Sequence, residues 1–188
     1  MFNFIYKNID FAHKLDHASL PSEEYYKHIH YFYEILYFVK GNVQYTVESE
    51  TRNLCEGDIV FIPAGKYHFA AVDLSVPYER YVLKFPDSLV PEYLAKKLAA
   101  NSSFYIDSRK FDVTFSQLDT YIKMFSHDEI YTLFTCEVMK LMVMLCHETT
   151  SPTGKHNDFI EALIAYVDAN VRNPITTQTL AEHFHYSK

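Results

Sequence analysis

The sequence predicts a mainly β chain with α-helices, a small antiparallel barrel followed by a helical hairpin. Three observations carry this reading. Three of the four glycines, Gly41, Gly57 and Gly65, fall between residues 28 and 68, and glycine serves where a backbone must turn with positive φ or approach another chain closely. Between residues 28 and 106, short apolar runs recur between turn-forming clusters, the pattern of a small antiparallel barrel. Beyond residue 110 the apolar spacing changes to three and four, the period of amphipathic helices.

In chain order, residues 1–20 read as an N-terminal arm of mixed aromatics ending before Pro21. Residues 21–110 are assigned to the barrel. Residues 28–39 and 42–48 read as two strands of a hairpin turning at Lys40-Gly41-Asn42. In the second strand Val43, Tyr45 and Val47 alternate with Gln44, Thr46 and Glu48. Residues 50–56 read as a polar turn region, residues 59–62 as a buried strand ending at the Pro63–Gly65 corner, and residues 78–85 as a strand bounded by Pro77 and Pro86. Residues 104–106 supply one more strand.

Residues 88–100 are helical in character, with Pro91 tolerated in a first turn. Residues 111–148 form a helical hairpin: Phe115, Leu118, Tyr121, Ile122 and Phe125 share one helix face, and a second helix begins near Asp128. The second helix is apolar on more than one stripe, so it is expected to cover the barrel and a second subunit at once. Leu133, Val138, Leu141, Met142 and Leu145 are its dimerisation candidates. Residues 149–156 (TTSPTGKH) read as a linker. A capped helix is expected from Asn157 and a short one from Thr176 or Thr177.

The 188 residues, 48% hydrophobic, suffice for one core plus an appendage. A net charge of −7 argues against a nucleic-acid-binding surface on this segment itself. Sixteen tyrosines and fifteen phenylalanines suit strands and a ligand pocket. Cys55, Cys136 and Cys146 form no C-x-x-C pair and are expected to be free, buried thiols in a reducing compartment. The opening residues lack a basic start followed by an apolar run, and no apolar stretch approaches the ~20 residues of a membrane span; a cytoplasmic protein without a membrane partner is expected.

The candidate site lies in the glycine-rich window, which contains H-x-H-x3-E-x6-G from His28 to Gly41 and G-x5-P-x-G-x2-H from Gly57 to His68. This pair of motifs resembles that of the cupin superfamily and implies a cupin-like jelly-roll barrel. The glycine that usually opens the first motif falls at Ser22, and the asparagine that usually closes the second falls at Val72. A straight strand rises about 3.3 Å per residue, which puts His30 and Glu34 roughly 13 Å apart, too far to share an ion. Sharing one needs a turn, and Tyr31-Phe32-Tyr33 offers no Gly or Pro to make it.

His28, His30, Glu34 and His68 therefore have three readings. As metal ligands, three imidazoles and a carboxylate suit Zn, Ni, Mn or Fe as a divalent ion. As a metal-free pocket, with Tyr45 and Arg80 added, they offer hydrogen bonds and an ion pair to a sugar or small acid. As structural residues, they are satisfied core polar groups, and Arg80 has the matching reading of an outward surface ion pair.

The tail carries I-x3-I-x-Y-V-D-A-N (Ile160 to Asn170), N-P-I-T (Asn173 to Thr176) and L-A-x5-S (Leu180 to Ser187). It resembles the start of the DNA-binding region of the AraC family, whose sensor half is a cupin-like barrel with a helical pair for dimerisation. The resemblance implies that residues 157–188 begin a first helix-turn-helix unit, cut before its recognition helix. It implies a small-molecule effector, a homodimer, and DNA contacted only through the missing C-terminal region, in a ligand-responsive transcription regulator that is not an enzyme. The competing expectation is a metal-dependent cupin enzyme, an isomerase or dioxygenase, which leaves residues 157–188 unexplained.

Overall fold

The computed structural model describes residues 2–17, 23–99, 104–107, 115–148, 166–167, 170 and 175–184. The chain divides into two units, residues 1–151 and 152–188. In the first, β1 (Phe2–Tyr6), β2 (Ile9–Asp16), β3 (Tyr33–Lys40), β6 (Asp58–Ile62), β8 (Tyr78–Phe85) and β9 (Tyr105–Asp107) form one sheet, in the order β1-β2-β8-β3-β6-β9. A second sheet has the order β5-β4-β7, from β4 (Val43–Val47), β5 (Glu50–Asn53) and β7 (His68–Val72). Every pairing is antiparallel.

The larger sheet is buried on both faces, and period-two alternation sorts its side chains. Leu36 and Phe38 of β3, Val60 and Ile62 of β6 and Val82 of β8 point between the sheets, where they meet Val43, Tyr45 and Val47 of β4. Ile35, Ile59, Phe61, Leu83 and Phe85 point the other way, into a core shared with the helices. Glu34, Arg80 and Lys84 share the parity of the inner set, so the strands' buried polar residues aim between the sheets.

Several expectations are corrected here. Residues 28–39 and 42–48 are not a hairpin: β3 pairs with β6 and β8, while β4 pairs with β5 and β7. Gly41 is instead the corner where the chain changes sheets. Its φ is +137°, and a Cβ there would meet the Pro77 carbonyl oxygen and Tyr78 Cα at 3.2 Å. Residues 50–53, read as turn, form the edge strand β5, whose polar side chains face solvent on one side.

The N-terminal arm is largely a hairpin of the barrel sheet. Lys7 and Asn8, both at positive φ, form the two-residue loop between Tyr6 and Ile9, and β2 pairs with β8. Phe4, Ile9 and Phe11 enter the core. The alternation F-x-F-x-Y, then I-x-F on either side of Lys7-Asn8, carried this signal.

The helices are α1 (Glu92–Ala99), α2 (Phe115–Met124) and α3 (His127–Glu148). They cover the outer face of the larger sheet: Phe134 of α3 lies 5.5 Å from the Phe4 ring and 5.1 Å from that of Phe11. The dimerisation candidates Val138, Leu141, Met142 and Leu145 are buried in this chain's own core, and Leu133 is half-buried. Their stripe is consumed by the sheet and α1, which removes it as a surface for a second subunit. Contrary to the sequence reading, α3 is long and apolar enough to cross a membrane by length and composition, and 39% of that stretch is buried within this chain. Of the three thiols, only Cys146 is buried, whereas Cys55 and Cys136 are exposed.

Hydrogen bonds at β9 tie the two sheets, and the Tyr105 hydroxyl reaches the carbonyls of both Tyr45 and Glu50. The Tyr105 hydroxyl of β9 donates to the Tyr45 carbonyl of β4 at 2.6 Å. Tyr105→Phe is expected to cost about 1–2 kcal/mol, because it leaves a buried carbonyl short of a donor while preserving ring packing. Urea denaturation with an unchanged m-value checks this.

In the second unit, α4 (Thr177–His183) is capped by Thr176, whose hydroxyl accepts from the Thr179 amide while Thr179 Oγ1 accepts from the Thr176 amide. The linker at 149–156 and the helix expected from Asn157 lie outside the described residues, apart from Tyr166, Val167 and Asn170.

Candidate metal and ligand site

β3 starts at Tyr33 rather than at residue 28, so the strand expected to carry both His28 and Glu34 is broken between them. His28 pairs instead with His68 of β7, through reciprocal backbone hydrogen bonds of 3.1 Å. The chain bends at Tyr31 and Phe32. Two contacts hold this bend without Gly or Pro: the Gly65 amide donates to the His30 carbonyl at 2.8 Å, and the His30 ring stacks on Phe32 at 3.8 Å. The bend brings His30 Nε2 within 3.0 Å of Glu34 Oε2, overturning the separation expected from a straight strand.

His28, His30 and His68 present ligand atoms that all lie within 4.8 Å of one another. Their orientation is set by three similar contacts. Nδ1 of His28 faces the Tyr26 carbonyl at 2.7 Å, Nδ1 of His30 faces that of Phe32 at 3.0 Å, and Nδ1 of His68 faces that of Lys66 at 3.0 Å. A carbonyl only accepts, so each Nδ1 carries the proton and each Nε2 of a neutral ring offers its lone pair, the arrangement of metal-ligating histidines.

His68 is 0% exposed, and its buried Nε2 has no hydrogen-bond partner among the described residues. Burial pushes its pKa down to about 4, against the pull of the Glu34 charge, so the ring is neutral near pH 7. Burial alone would raise the Glu34 carboxyl, but the His30 hydrogen bond and the Lys84 charge at 3.7 Å outweigh it and hold the pKa below the ordinary value. At His30 both ring nitrogens face acceptors, Nδ1 the Phe32 carbonyl and Nε2 the Glu34 carboxylate. Three converging imidazoles, one with an orphaned buried nitrogen, fit a divalent ion of the Zn, Ni, Mn or Fe type, whereas Glu34, expected as a fourth ligand, stands beside the cluster bonded to His30.

A pocket of about 360 Å³, part of it open to solvent, adjoins this cluster, and His28, Glu34, Tyr45 and Arg80 line it. Four of the six residues expected at a ligand pocket thus line it, while His30 and His68 stand beside it, in contact with Glu34 and His28 respectively. Arg80 is 3% exposed and faces inward, which removes the reading of an outward surface pair. Its Nη1 donates to Asp16 Oδ2 at 2.8 Å, and its guanidinium lies over the rings of Tyr78 at 4.2 Å and Tyr25 at 5.6 Å.

Sequence reasoning missed Lys14, Asp16, Glu24, Tyr25, Tyr78 and Lys84 around this pocket. Lys14 and Asp16 were hidden by reading β2 as an arm. Lys84 was legible, since it lies four residues from Arg80 on the same strand and so shares its face.

Burial alone would raise the Asp16 carboxyl, yet the Tyr25 hydroxyl and the Arg80 charge hold it below its ordinary pKa. A depressed folded-state pKa contributes stability that is present above the unfolded value and lost as pH falls through the folded one. Between pH 6 and 3 the wild-type Tm is expected to fall more steeply than that of Asp16→Asn, with the two profiles converging at the acid end. Parallel profiles would remove Asp16 as a source of the acid sensitivity.

The family model described as the AraC-like ligand binding domain matches residues 13–123, more than half of the chain. Among solved structures, AerE from Microcystis aeruginosa is 18% identical with a TM-score of 0.43, the match covering 55% of this chain and 44% of that one. DMSP lyase DddQ from Ruegeria pomeroyi is 28% identical with a TM-score of 0.36, over 44% of this chain and 40% of that one. An RmlC-like cupin family protein from Methanocaldococcus jannaschii is 26% identical with a TM-score of 0.35, over 43% and 72%. The chain thus covers less than half the length of AerE and of the lyase. No curated protein matches it.

Proposed function

We propose a function from one premise: this chain belongs to the family of AraC-like ligand-binding domains. It is the sensing part of a transcription regulator, taking a small-molecule effector between the two sheets of its cupin-like barrel. The observation that carries this is the pocket itself, where the inward-facing Arg80 and the histidine cluster flank one partly open cavity.

The resemblance of the tail to the start of a helix-turn-helix region supports DNA binding through a region beginning within residues 157–188, where α4 lies. A second copy of the chain is the proposed partner for the apolar side chains left exposed on and beside the helices, Met124, Phe125 and Val143, and the cytoplasm is the proposed setting. Effector binding acts on DNA only insofar as the effector binds two arrangements of the dimer with different affinity.

A thermal-shift screen of sugars, sugar acids and amino compounds, paired with DNA binding by the full-length protein, tests the proposal. A compound that stabilises the chain and changes DNA affinity supports sensing. Sequence-specific DNA binding that no stabilising compound alters counts against it.

The donor set at His28, His30 and His68, with Glu34 beside it, favours a second reading, a metal-dependent cupin enzyme. A bound divalent ion would supply Lewis acidity there. The residues themselves would hold it: the carbonyls behind each Nδ1 orient the rings, and Lys84 balances the Glu34 charge. Turnover of a stabilising compound by the metal-loaded chain would move the assignment to this reading.

A further inference from the structure

Beyond the Glu34–His30 contact, the pocket contains a charge arrangement that the histidine cluster does not use. Three cations line it, Lys14, Arg80 and Lys84, together with the carboxylates of Glu24 and Glu34. A third carboxylate, Asp16, is bonded to Arg80. The signs balance, and each acid has a distinct attachment.

Glu34 is tied to His30 and Lys84. Asp16 sits on β2, held from two sides by the Tyr25 hydroxyl and by Arg80 Nη1. Glu24 differs from both. It is carried on a three-residue 3-10 turn, Glu23–Tyr25, and its side chain is 47% exposed. It accepts two hydrogen bonds from Lys14 Nζ, at 2.5 and 2.8 Å, while Arg80 Nη2 stands 3.5 Å from its nearer oxygen. At that length the second arm of the guanidinium fork makes an ion pair but not a well-formed hydrogen bond.

A guanidinium this deeply buried requires carboxylate partners, and Arg80 has one firm and one loose. The loose one stands at the exposed edge of the pocket, where a ligand would enter. We propose that the Lys14–Arg80 end of the pocket is a carboxylate subsite with the Glu24 side chain as its resident occupant, and that the effector is a small organic acid that displaces it. The proposal rests on the reading that this barrel senses a small molecule, and it specifies that molecule's charge.

Displacement conserves the charge balance. When Glu24 swings into solvent, Lys14 and the free arm of Arg80 are left one negative charge short, and the incoming carboxylate restores it. A neutral polyol would leave Glu24 in place and gain no ion pair. The Tyr25 and Tyr78 rings that flank Arg80 add apolar faces for the carbon skeleton of such an acid.

The test uses the whole chain stripped of metal by chelation, so that the histidine cluster contributes no ion. Succinate, citrate and glucose are the probes, titrated at constant ionic strength, with binding read by thermal shift and calorimetry. Glu24→Gln and Lys14→Gln alter partly exposed side chains, and circular dichroism checks that each variant keeps the barrel fold. Succinate or citrate is expected to bind, with affinity about tenfold higher in Glu24→Gln, where the competing charge is gone, and several-fold lower in Lys14→Gln.

Equal affinity in wild type and Glu24→Gln would overturn the role of Glu24 as occupant. Binding of glucose without binding of either acid would overturn the subsite while leaving small-molecule sensing intact. Binding of none of the three, in wild type and in Glu24→Gln, would overturn the subsite too, and the broader compound screen would then decide separately on sensing.

Discussion

Grown with a divalent metal supplement, the chain is expected to carry about one ion, and His28→Ala and His68→Ala to carry none. Elemental analysis of tag-free protein reads this directly. His28, His30 and His68 converge with their Nδ1 protons already committed to carbonyls, so the site exists before an ion arrives and little ordering is needed to bind one. An ion that binds only the folded chain adds stability by mass action. At a free concentration one hundred times Kd this is about 2.7 kcal/mol, or roughly 5–10 °C in Tm for a chain of this size.

The variants should lose that increment, and it should shrink with falling pH as protons compete with the ion for the imidazoles. An ion content unchanged in both variants would place the metal elsewhere. A metal-free wild type after supplementation would leave the cluster as hydrogen-bonding groups at the edge of the pocket.

Phe134→Ala is expected to destabilise the chain by about 3–5 kcal/mol, the range for removing a large side chain from a core that cannot collapse around the gap. Phe134 is 0% exposed. It touches Phe4 and Phe11, one from each strand of the N-terminal hairpin, so its removal loosens α3 and that hairpin together. The paired measurement is Val143→Ala on the same helix. That residue is 41% exposed, and truncating it should change stability by no more than about 0.5 kcal/mol. Chemical denaturation of both variants checks the orientation of α3, and costs of similar size would mean the buried face has been misassigned.

These two experiments separate what could be read along the chain from what could not. The strands at 43–47, 59–62 and 78–85 were legible because period two and their turn signals are local properties. So were the helices near residues 92, 115 and 128, where period three to four is equally local. β1 and β2 carry the same local signal, since Phe2, Phe4 and Tyr6 alternate up to the Lys7-Asn8 turn. The buried stripe of α3 was less accessible. Its apolar surface is wider than one face, and nothing local says which part meets the sheet and which part is left over.

For the site, the spacing of His28, His30, Glu34 and His68 determined by itself which groups are candidates, and the glycines and Pro63 marked the corners between them. Only the tertiary structure decided that they converge. The bend at Tyr31-Phe32 has no local cause, because neither residue favours a turn; it persists because the Gly65 amide, thirty-odd positions away, bonds the His30 carbonyl while the His30 ring lies flat on Phe32. The pocket's charge pattern was likewise beyond local reading. Lys14, Glu24 and Arg80 come from three separate elements, and long-range strand pairing, driven by burial of the apolar residues between them, is what brings them together.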